Sequence, residues 1–156
     1  MYRDLHRVAH VLLVEDNPAD VMLLKLGLEE TGAACRLQIA IDGQNAIELL
    51  RQAAEELTSP EAGLPDLILL DLNLPKLNGH QVLRIIRSDP RFRLIPVVVL
   101  TSSISRSDVL SAYGAGANSY LQKPKSLESS LDLLRTIEHY WLELALLPTN
   151  GCGNSL

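Results

Sequence analysis

A short apolar run that ends on a carboxylate restricts the possible folds of this chain more than any other feature. Residues 67–70 are Leu, Ile, Leu and Leu, Asp71 follows them, and residues 72–79 have the composition of a loop. A continuous apolar run of this length is typical of a strand buried on both faces, as in a parallel sheet covered by helices. An acid at the carboxyl end of such a strand lies where open α/β sheets bind ligands.

The same alternation of strand and helix patterns continues along the whole chain. Strand patterns occur at residues 10–14, 36–41, 67–71, 96–100 and 119–122, and helical spacing occurs at 17–31, 44–57, 79–88, 105–113 and 126–147. Strict alternation predicts an α/β fold with a doubly wound, five-stranded parallel sheet. Right-handed crossovers then bring the carboxyl ends of all strands to one edge.

The composition excludes several classes of protein. With 156 residues, 47% of them hydrophobic and 21% charged, the chain can form one full core. A net charge of −5 without a basic run argues against nucleic-acid binding. No segment approaches the roughly 18 apolar residues of a membrane span, and we expect a soluble, cytoplasmic protein without membrane association. We expect an N-terminal extension over 1–9, one domain over 10–147 and a disordered tail over 148–156.

Polar side chains follow the strands at the shared edge of the predicted sheet. They are Glu15 and Asp16 after the first strand, Asp71 after the third, Thr101 after the fourth and Lys123 after the fifth. Neighbouring carboxylates repel each other unless a cation lies among them. Mg²⁺, or Mn²⁺ in its place, suits such oxygen ligands, and the backbone carbonyl of Asn73 can join them. A metal, a lysine and a hydroxyl together can receive a phosphoryl group carried on a carboxylate.

These residues resemble, in type and order, the motif of the response-regulator receiver domain, the phosphoacceptor module of two-component signalling. The resemblance covers about residues 10–147 and implies a flavodoxin-like sheet of order 2-1-3-4-5 in a signalling protein that is not an enzyme. It implies metal ligation by the side chains of Glu15, Asp16 and Asp71 and the Asn73 carbonyl.

The resemblance also implies individual roles for the remaining motif residues. Asp71 would take the phosphoryl group from a histidine kinase with the help of Lys123, and Thr101 and Tyr120 would be the switch hydroxyl and the switch aromatic. Lys123 would be followed by Pro124 through a cis peptide. One departure is Ser102, where many receivers have a smaller apolar residue.

The final helix pattern carries two apolar stripes. The first consists of Leu127, Leu131, Leu134 and Trp141, which can cover the sheet. The second consists of Leu133, Ile137, Tyr140, Leu144 and Leu147. One core seldom needs so wide an apolar face, so the second stripe predicts a homodimer interface, unless the helix packs these residues on its own domain.

Three segments resemble the stand-alone response regulators that partner cyanobacterial phytochromes. These segments are residues 16–20, 71–76 and 137–148. The resemblance implies a light-regulated, phytochrome-type histidine kinase as phosphodonor and a homodimer built on the last helix.

Other functions remain open at this point. The chain could be a phosphorelay intermediate without its own output, a degenerate receiver that serves as a scaffold, or an aspartyl-phosphate hydrolase. The hydrolase normally carries Asp-x-Asp, whereas Asn73 occupies the place of the second acid, and a general acid is therefore missing. No phosphate-binding loop of the type G-x-x-x-x-G-K-[ST] occurs, which leaves nucleotide hydrolysis without support.

Overall fold

In the computed structural model, residues 8–32, 34–56 and 63–148 are described. They contain five parallel strands: β1 (Ala9–Val14), β2 (Cys35–Ala40), β3 (Leu67–Leu70), β4 (Val97–Thr101) and β5 (Ser119–Gln122). The strand order is β2-β1-β3-β4-β5, which confirms the predicted doubly wound topology. The predicted N-terminal extension and C-terminal tail lie outside the described residues, apart from Val8, Ala9 and Pro148.

Helices connect the strands of this sheet. The α-helices are α1 (Pro18–Thr31), α2 (Gly43–Glu55), α3 (Gly79–Ser88), α4 (Arg106–Gly114) and α5 (Leu127–Ile137). Asn17 caps α1 by accepting hydrogen bonds from the backbone of Ala19 and Asp20, and Gly32 ends it at φ 68°. None of the helices in the described ranges is long and apolar enough to cross a bilayer.

Two apolar cores lie on opposite faces of the sheet. Alternate residues of β1, β3 and β4 face helices α2, α3 and α4, and the residues between them face α1 and α5. Val99 belongs to the first core, and Val98 and Leu69 belong to the second. Burial on both faces explains the uninterrupted apolar runs that predicted the central strands.

The predicted helix over residues 126–147 is confirmed from Leu127 to Leu144, but it is not one regular α-helix and it ends before Leu147. After Ile137, α5 passes into a π-helix, Glu138–Leu144, and the chain becomes extended at Ala145. The Ala145 N–H donates to the Tyr140 carbonyl at 2.8 Å, which is an i→i+5 hydrogen bond. Since a turn closed by i→i+5 bonds holds more residues than an α-turn, the helix presents a different side chain to the sheet.

The observed burial of side chains corrects the predicted partner surface. Ile137 is only 5% exposed and belongs to the core beneath α1 and α5, so its assignment to the homodimer stripe is wrong. Leu142, which neither predicted stripe contains, is also buried there. Tyr140 and Leu144 are exposed, as the stripe requires. Leu133 and Leu147 are half-buried.

Candidate functional site

Backbone hydrogen bonds continue past the strand ends and fix the residues of the carboxyl edge. The Asp71 N–H donates to the Val14 carbonyl at 3.0 Å, and the Lys123 N–H donates to the Thr101 carbonyl at 2.8 Å. The Glu15 N–H donates to the Ala40 carbonyl at 3.0 Å. The polar residues at the carboxyl ends of β1, β3, β4 and β5 are therefore held at one edge, as right-handed crossovers predict.

The Lys123 ammonium is the centre of this edge. Its Nζ lies 2.6 Å from Glu15 Oε2, 2.8 Å from Asp71 Oδ2 and 2.9 Å from Asp20 Oδ2. An ammonium group has three N–H donors, and these three carboxylates account for all of them. Lys123, Glu15 and Asp71 are nearly inaccessible to solvent, which strengthens the attraction between their charges.

Three acids form a cluster suited to a cation. Ligand oxygens of Glu15, Asp16 and Asp71 all lie within 4.8 Å of one another. Glu15 and Asp71 are buried, whereas Asp16 is exposed and opens the cluster to solvent. Asn73 lies against it, because its backbone N–H donates to Asp71 Oδ1 at 3.3 Å. The donor set fits a hard divalent cation that keeps some of its waters.

The electrostatics of the edge follow from burial and pairing. Burial raises the pKa of Glu15 to about 7, although hydrogen bonds from Lys123 and from the Asn17 backbone act to lower it. Burial alone would lower the pKa of Lys123, but its hydrogen bonds to Asp71, Glu15 and Asp20 outweigh that effect and raise this pKa. Lys123 is therefore charged at neutral pH, and a second cation at the cluster would favour the ionised form of Glu15.

Thr101 lies next to the acidic cluster at the end of β4. Leu70 pairs with Val99 across β3 and β4, so Thr101 follows just beyond the level of Asp71. Its side chain is fully buried, and its hydroxyl has no hydrogen-bond partner among the described residues. A buried hydroxyl in this state is available to a further acceptor at the edge.

Tyr120 is attached to the loop that follows Thr101. Its hydroxyl donates to the Ser103 carbonyl at 2.8 Å, and its ring packs partly against the core beneath α2, α3 and α4. The Ser103 hydroxyl in turn donates to Asp108 in the first turn of α4 at 2.5 Å. The loop thus connects the aromatic residue of β5 with the start of α4.

The expected cis peptide before Pro124 is wrong. All peptide bonds of the described residues are trans. The trans isomer is the intrinsically preferred form of an X–Pro bond, by about 0.5–1 kcal/mol.

Asp20 is the one contact of Lys123 that the sequence analysis did not place at the edge. The spacing of residues places Asp20 in the first turn of α1, where an acid favours the positive end of the helix dipole. The available signal was its position: Asp20 is a third acid in the helical turn that directly follows Glu15 and Asp16, and could therefore have been expected near the same edge. The reach of the Lys123 side chain to Asp20 depends on side-chain conformation, which the spacing of residues does not show.

Comparisons with known proteins agree with this geometry. Residues 11–135 match the family described as "Response regulator receiver domain". The response regulator Rcp1 of Synechocystis sp. (strain PCC 6803) is 42% identical over 138 residues, covering 88% of this chain and 92% of Rcp1. The probable methanogenesis regulatory protein FilR2 of Methanothrix harundinacea is 46% identical over 138 residues, covering 85% of this chain and 83% of FilR2.

Solved structures with the same fold are similar over nearly the whole chain. The phosphorylated cyanobacterial phytochrome response regulator RcpA superposes with a TM-score of 0.81 at 40% identity, covering 91% of this chain and 99% of RcpA. The Mn²⁺-bound form of Rcp1 gives a TM-score of 0.78 at 41% identity, covering 90% of this chain and 99% of Rcp1. With the strand order, the acidic cluster and the lysine in place, the chain belongs to the response-regulator receiver family.

Proposed function

We propose that the protein relays a signal by accepting a phosphoryl group on Asp71 from the phosphohistidine of a kinase. The observation that carries the proposal is the environment of the Asp71 carboxylate at the end of the central strand. One oxygen receives a hydrogen bond from Lys123 at 2.8 Å, and ligand oxygens of Glu15 and Asp16 lie within 4.8 Å. An acid so placed combines a nucleophile with the positive charge that phosphoryl transfer requires.

The residues around Asp71 have separate tasks in the proposed transfer. A bond forms between an Asp71 oxygen and phosphorus while the phosphorus–nitrogen bond of the donor breaks, and its electron pair stays on the imidazole. Lys123 stabilises the negative charge of the transferred group, and the Thr101 hydroxyl donates to one of its oxygens. Mg²⁺ would be held by Glu15, Asp16, Asp71 and the Asn73 carbonyl, and it would neutralise charge on the phosphoryl group. Mn²⁺ suits the same ligands, and the comparison with Mn²⁺-bound Rcp1 supports this assignment.

We propose that the signal leaves the site through Thr101 and Tyr120. When the Thr101 hydroxyl turns toward the phosphoryl group, Tyr120 gives up its hydrogen bond to Ser103 and moves into the space beside β4. The loop between β4 and α4 then changes its contacts, and the surface formed by α4, β5 and α5 is repacked. A local change of charge would in this way select between two arrangements of one surface.

The proposed phosphodonor is a phytochrome-type histidine kinase. Support comes from the similarity to RcpA, which is described as a cyanobacterial phytochrome response regulator. Since such kinases use ATP, we propose that the protein acts in the cytoplasm.

We also propose that the protein forms a homodimer through the exposed part of the second stripe. Tyr140 is 55% exposed and Leu144 is 61% exposed, and both lie on the π-helix. Sedimentation velocity at increasing protein concentration tests this proposal. We expect a dimer for the natural chain and a monomer for the double variant Tyr140→Ser/Leu144→Ser. A natural chain that remains monomeric at high concentration contradicts the proposal.

The phosphoacceptor role is tested by phosphotransfer to purified variants. We expect incorporation from a phosphorylated histidine kinase, in the presence of Mg²⁺, into the natural chain and into Asp132→Asn, which changes an exposed acid. Asp71→Asn should incorporate none, because an amide is not a nucleophile toward phosphorus. Omission of Mg²⁺ should also abolish incorporation. Equal incorporation by Asp71→Asn would exclude Asp71 as the acceptor.

A further inference from the structure

We infer that Asp20 is a positioning residue for phosphoryl transfer, because it holds the Lys123 ammonium against the acceptor carboxylate of Asp71. This inference rests on the proposed function of Asp71. Asp20 acts through Lys123, and no contact of Asp20 with the transferred group is required.

The contacts of the ammonium group are the first step of the argument. Lys123 Nζ lies 2.9 Å from Asp20 Oδ2, a distance close to the 2.8 Å that separates it from Asp71 Oδ2. The third contact, with Glu15 Oε2, is the shortest at 2.6 Å. Because a lysine side chain is a flexible stem that ends in a point charge, three contacts fix its position better than two.

The second step is the difference between Asp20 and the other two partners of Lys123. Glu15 and Asp71 belong to the acidic cluster that also includes Asp16, and their oxygens are the ones suited to a divalent cation. Among the described residues, that cluster does not extend to Asp20. When the oxygens of Glu15 and Asp71 take other partners during the reaction, Asp20 is the carboxylate that can keep its contact with Lys123.

The third step concerns the rigidity of the support. Asp20 lies in the first turn of α1, where the Asn17 side chain accepts hydrogen bonds from the backbone N–H of Ala19 at 2.9 Å and of Asp20 at 3.4 Å. The Asn17 N–H donates to Glu15 Oε1 at 3.1 Å. The helix start is therefore tied to the loop that carries the acidic pair. A carboxylate on a fixed helix turn can hold a charge in advance of the reaction, which is the condition for efficient electrostatic stabilisation.

The alternative role of Asp20 is a surface ion pair that only stabilises the fold. Asp20 is 32% exposed, and pairs of this kind contribute little to stability. The two roles differ in what a variant changes. A stabilising pair affects the unfolding midpoint, whereas a positioning residue affects the maximal rate of transfer at an unchanged affinity for the donor.

The test compares phosphorylation kinetics of Asp20→Asn with those of a matched control, using acetyl phosphate as donor and saturating Mg²⁺. Glu29→Gln removes the same charge from an exposed position farther along α1. We expect Asp20→Asn to lower the maximal rate roughly tenfold with little change in the donor KM or in Mg²⁺ affinity, because misplaced catalytic charges reduce rates by this order or more. Asp20→Glu should recover part of the rate, and Glu29→Gln should match the natural chain.

Nuclear magnetic resonance of the lysine ammonium groups supplies a second readout that does not depend on phosphorylation. In the natural chain and in Glu29→Gln, the ammonium protons of Lys123 should be protected from exchange with water and should therefore give a signal. In Asp20→Asn we expect this signal to be lost. If Asp20→Asn does not fold, the Lys123 signals of the natural chain and of Asp20→Glu still test the inference. A Lys123 signal that exchanges as fast as those of exposed lysines contradicts the inference.

The outcomes separate this inference from the function on which it rests. If the natural chain incorporates no phosphate at Asp71, the proposed function fails. If the natural chain is phosphorylated at Asp71 and folded Asp20→Asn reacts at the rate of Glu29→Gln, only the role of Asp20 fails. A loss of Mg²⁺ affinity in Asp20→Asn as large as in Asp16→Asn would assign Asp20 to the metal site and also overturn the inference.

Discussion

The carboxyl edge of the sheet and the C-terminal helical segment are held in place by different kinds of interaction. At the edge, one ammonium group forms ion pairs with the carboxylates of Glu15, Asp20 and Asp71. In the C-terminal segment, Leu134, Ile137 and Leu142 pack apolar surface against the sheet and α1.

This difference determines how each region responds to change. Loss of the ammonium group leaves the buried carboxylates of Glu15 and Asp71 without their shared cation, so the loss of stability is large and depends on other cations. Truncation of one apolar side chain in the C-terminal segment should lower the free energy of unfolding in proportion to the buried volume that is removed.

The largest effect on stability is expected from Lys123→Met. It removes the cation from buried carboxylates, and breaking a buried pair in this way costs about 3–5 kcal/mol. Urea unfolding measures the loss, and added Mg²⁺ should restore part of it by binding the acidic cluster. Lys25→Met is the matched control, because Lys25 is exposed on α1 and surface substitutions usually change stability by less than about 0.5 kcal/mol. A Lys123→Met variant as stable as this control, with or without Mg²⁺, contradicts the electrostatic account of the edge.

The next effect distinguishes a π-helix from a regular α-helix in the C-terminal segment. Leu142→Ala should lower the free energy of unfolding by about 2–3 kcal/mol, since it empties a buried site. At protein concentrations too low for dimerisation, Leu144→Ala should change it by less than about 0.5 kcal/mol, because Leu144 is exposed in the single chain. Chemical denaturation of both variants makes the comparison. Equal losses, or a larger loss for Leu144→Ala, would rule out the register described here.

Gly27→Ala tests how closely α1 and α5 approach each other. A Cβ atom at Gly27 would overlap Leu134 Cδ1, and Leu134 is buried. Alanine has a higher helix propensity than glycine, but the steric overlap should be the larger effect. We therefore expect the free energy of unfolding to fall by about 1–2 kcal/mol. In a double-mutant cycle measured by urea unfolding, Leu134→Ala should remove this penalty, and strict additivity would show that the two helices are not in close contact.

The smallest effect is expected where a hydrogen bond joins α1 to the start of the π-helix. The Thr31 hydroxyl lies 2.5 Å from Glu138 Oε1 and 3.0 Å from the Leu28 carbonyl. Thr31→Val should cost about 1 kcal/mol in thermal or urea unfolding. Thr136→Val serves as control, because the Thr136 hydroxyl donates to the Asp132 carbonyl of its own helix on an exposed face. A loss no greater than that of the control would mean that the contact between Thr31 and Glu138 does not stabilise the protein.

The sheet and most of the candidate site could be predicted from sequence for one reason. Strands such as β3 and β4 are buried on both faces, so their apolar runs mark them clearly, and chain topology then fixes where Asp71, Thr101 and Lys123 meet. The helix start at Pro18 was predictable from the Asn17 cap, and the end of α1 from Gly32.

Two features could not be predicted, because each depends on a choice between similar conformations. After Ile137 the backbone hydrogen bonds change from the i→i+4 pattern of an α-helix to the i→i+5 pattern of a π-helix. The residues of that segment, Glu138–Leu144, include no glycine or proline that would signal the change. The contact between Asp20 and Lys123 depends on the conformation of a long side chain across 103 positions of sequence. Periodicity reports neither of these.

Direct localisation of the phosphoryl group tests the central claim. After reaction with acetyl phosphate and Mg²⁺, reduction with borohydride marks the phosphorylated carboxylate, and peptide mass spectrometry identifies its position. The account predicts a single modified residue, Asp71, in the folded protein. Modification of Asp16 or Asp20 instead, or of no acid at all, would contradict it.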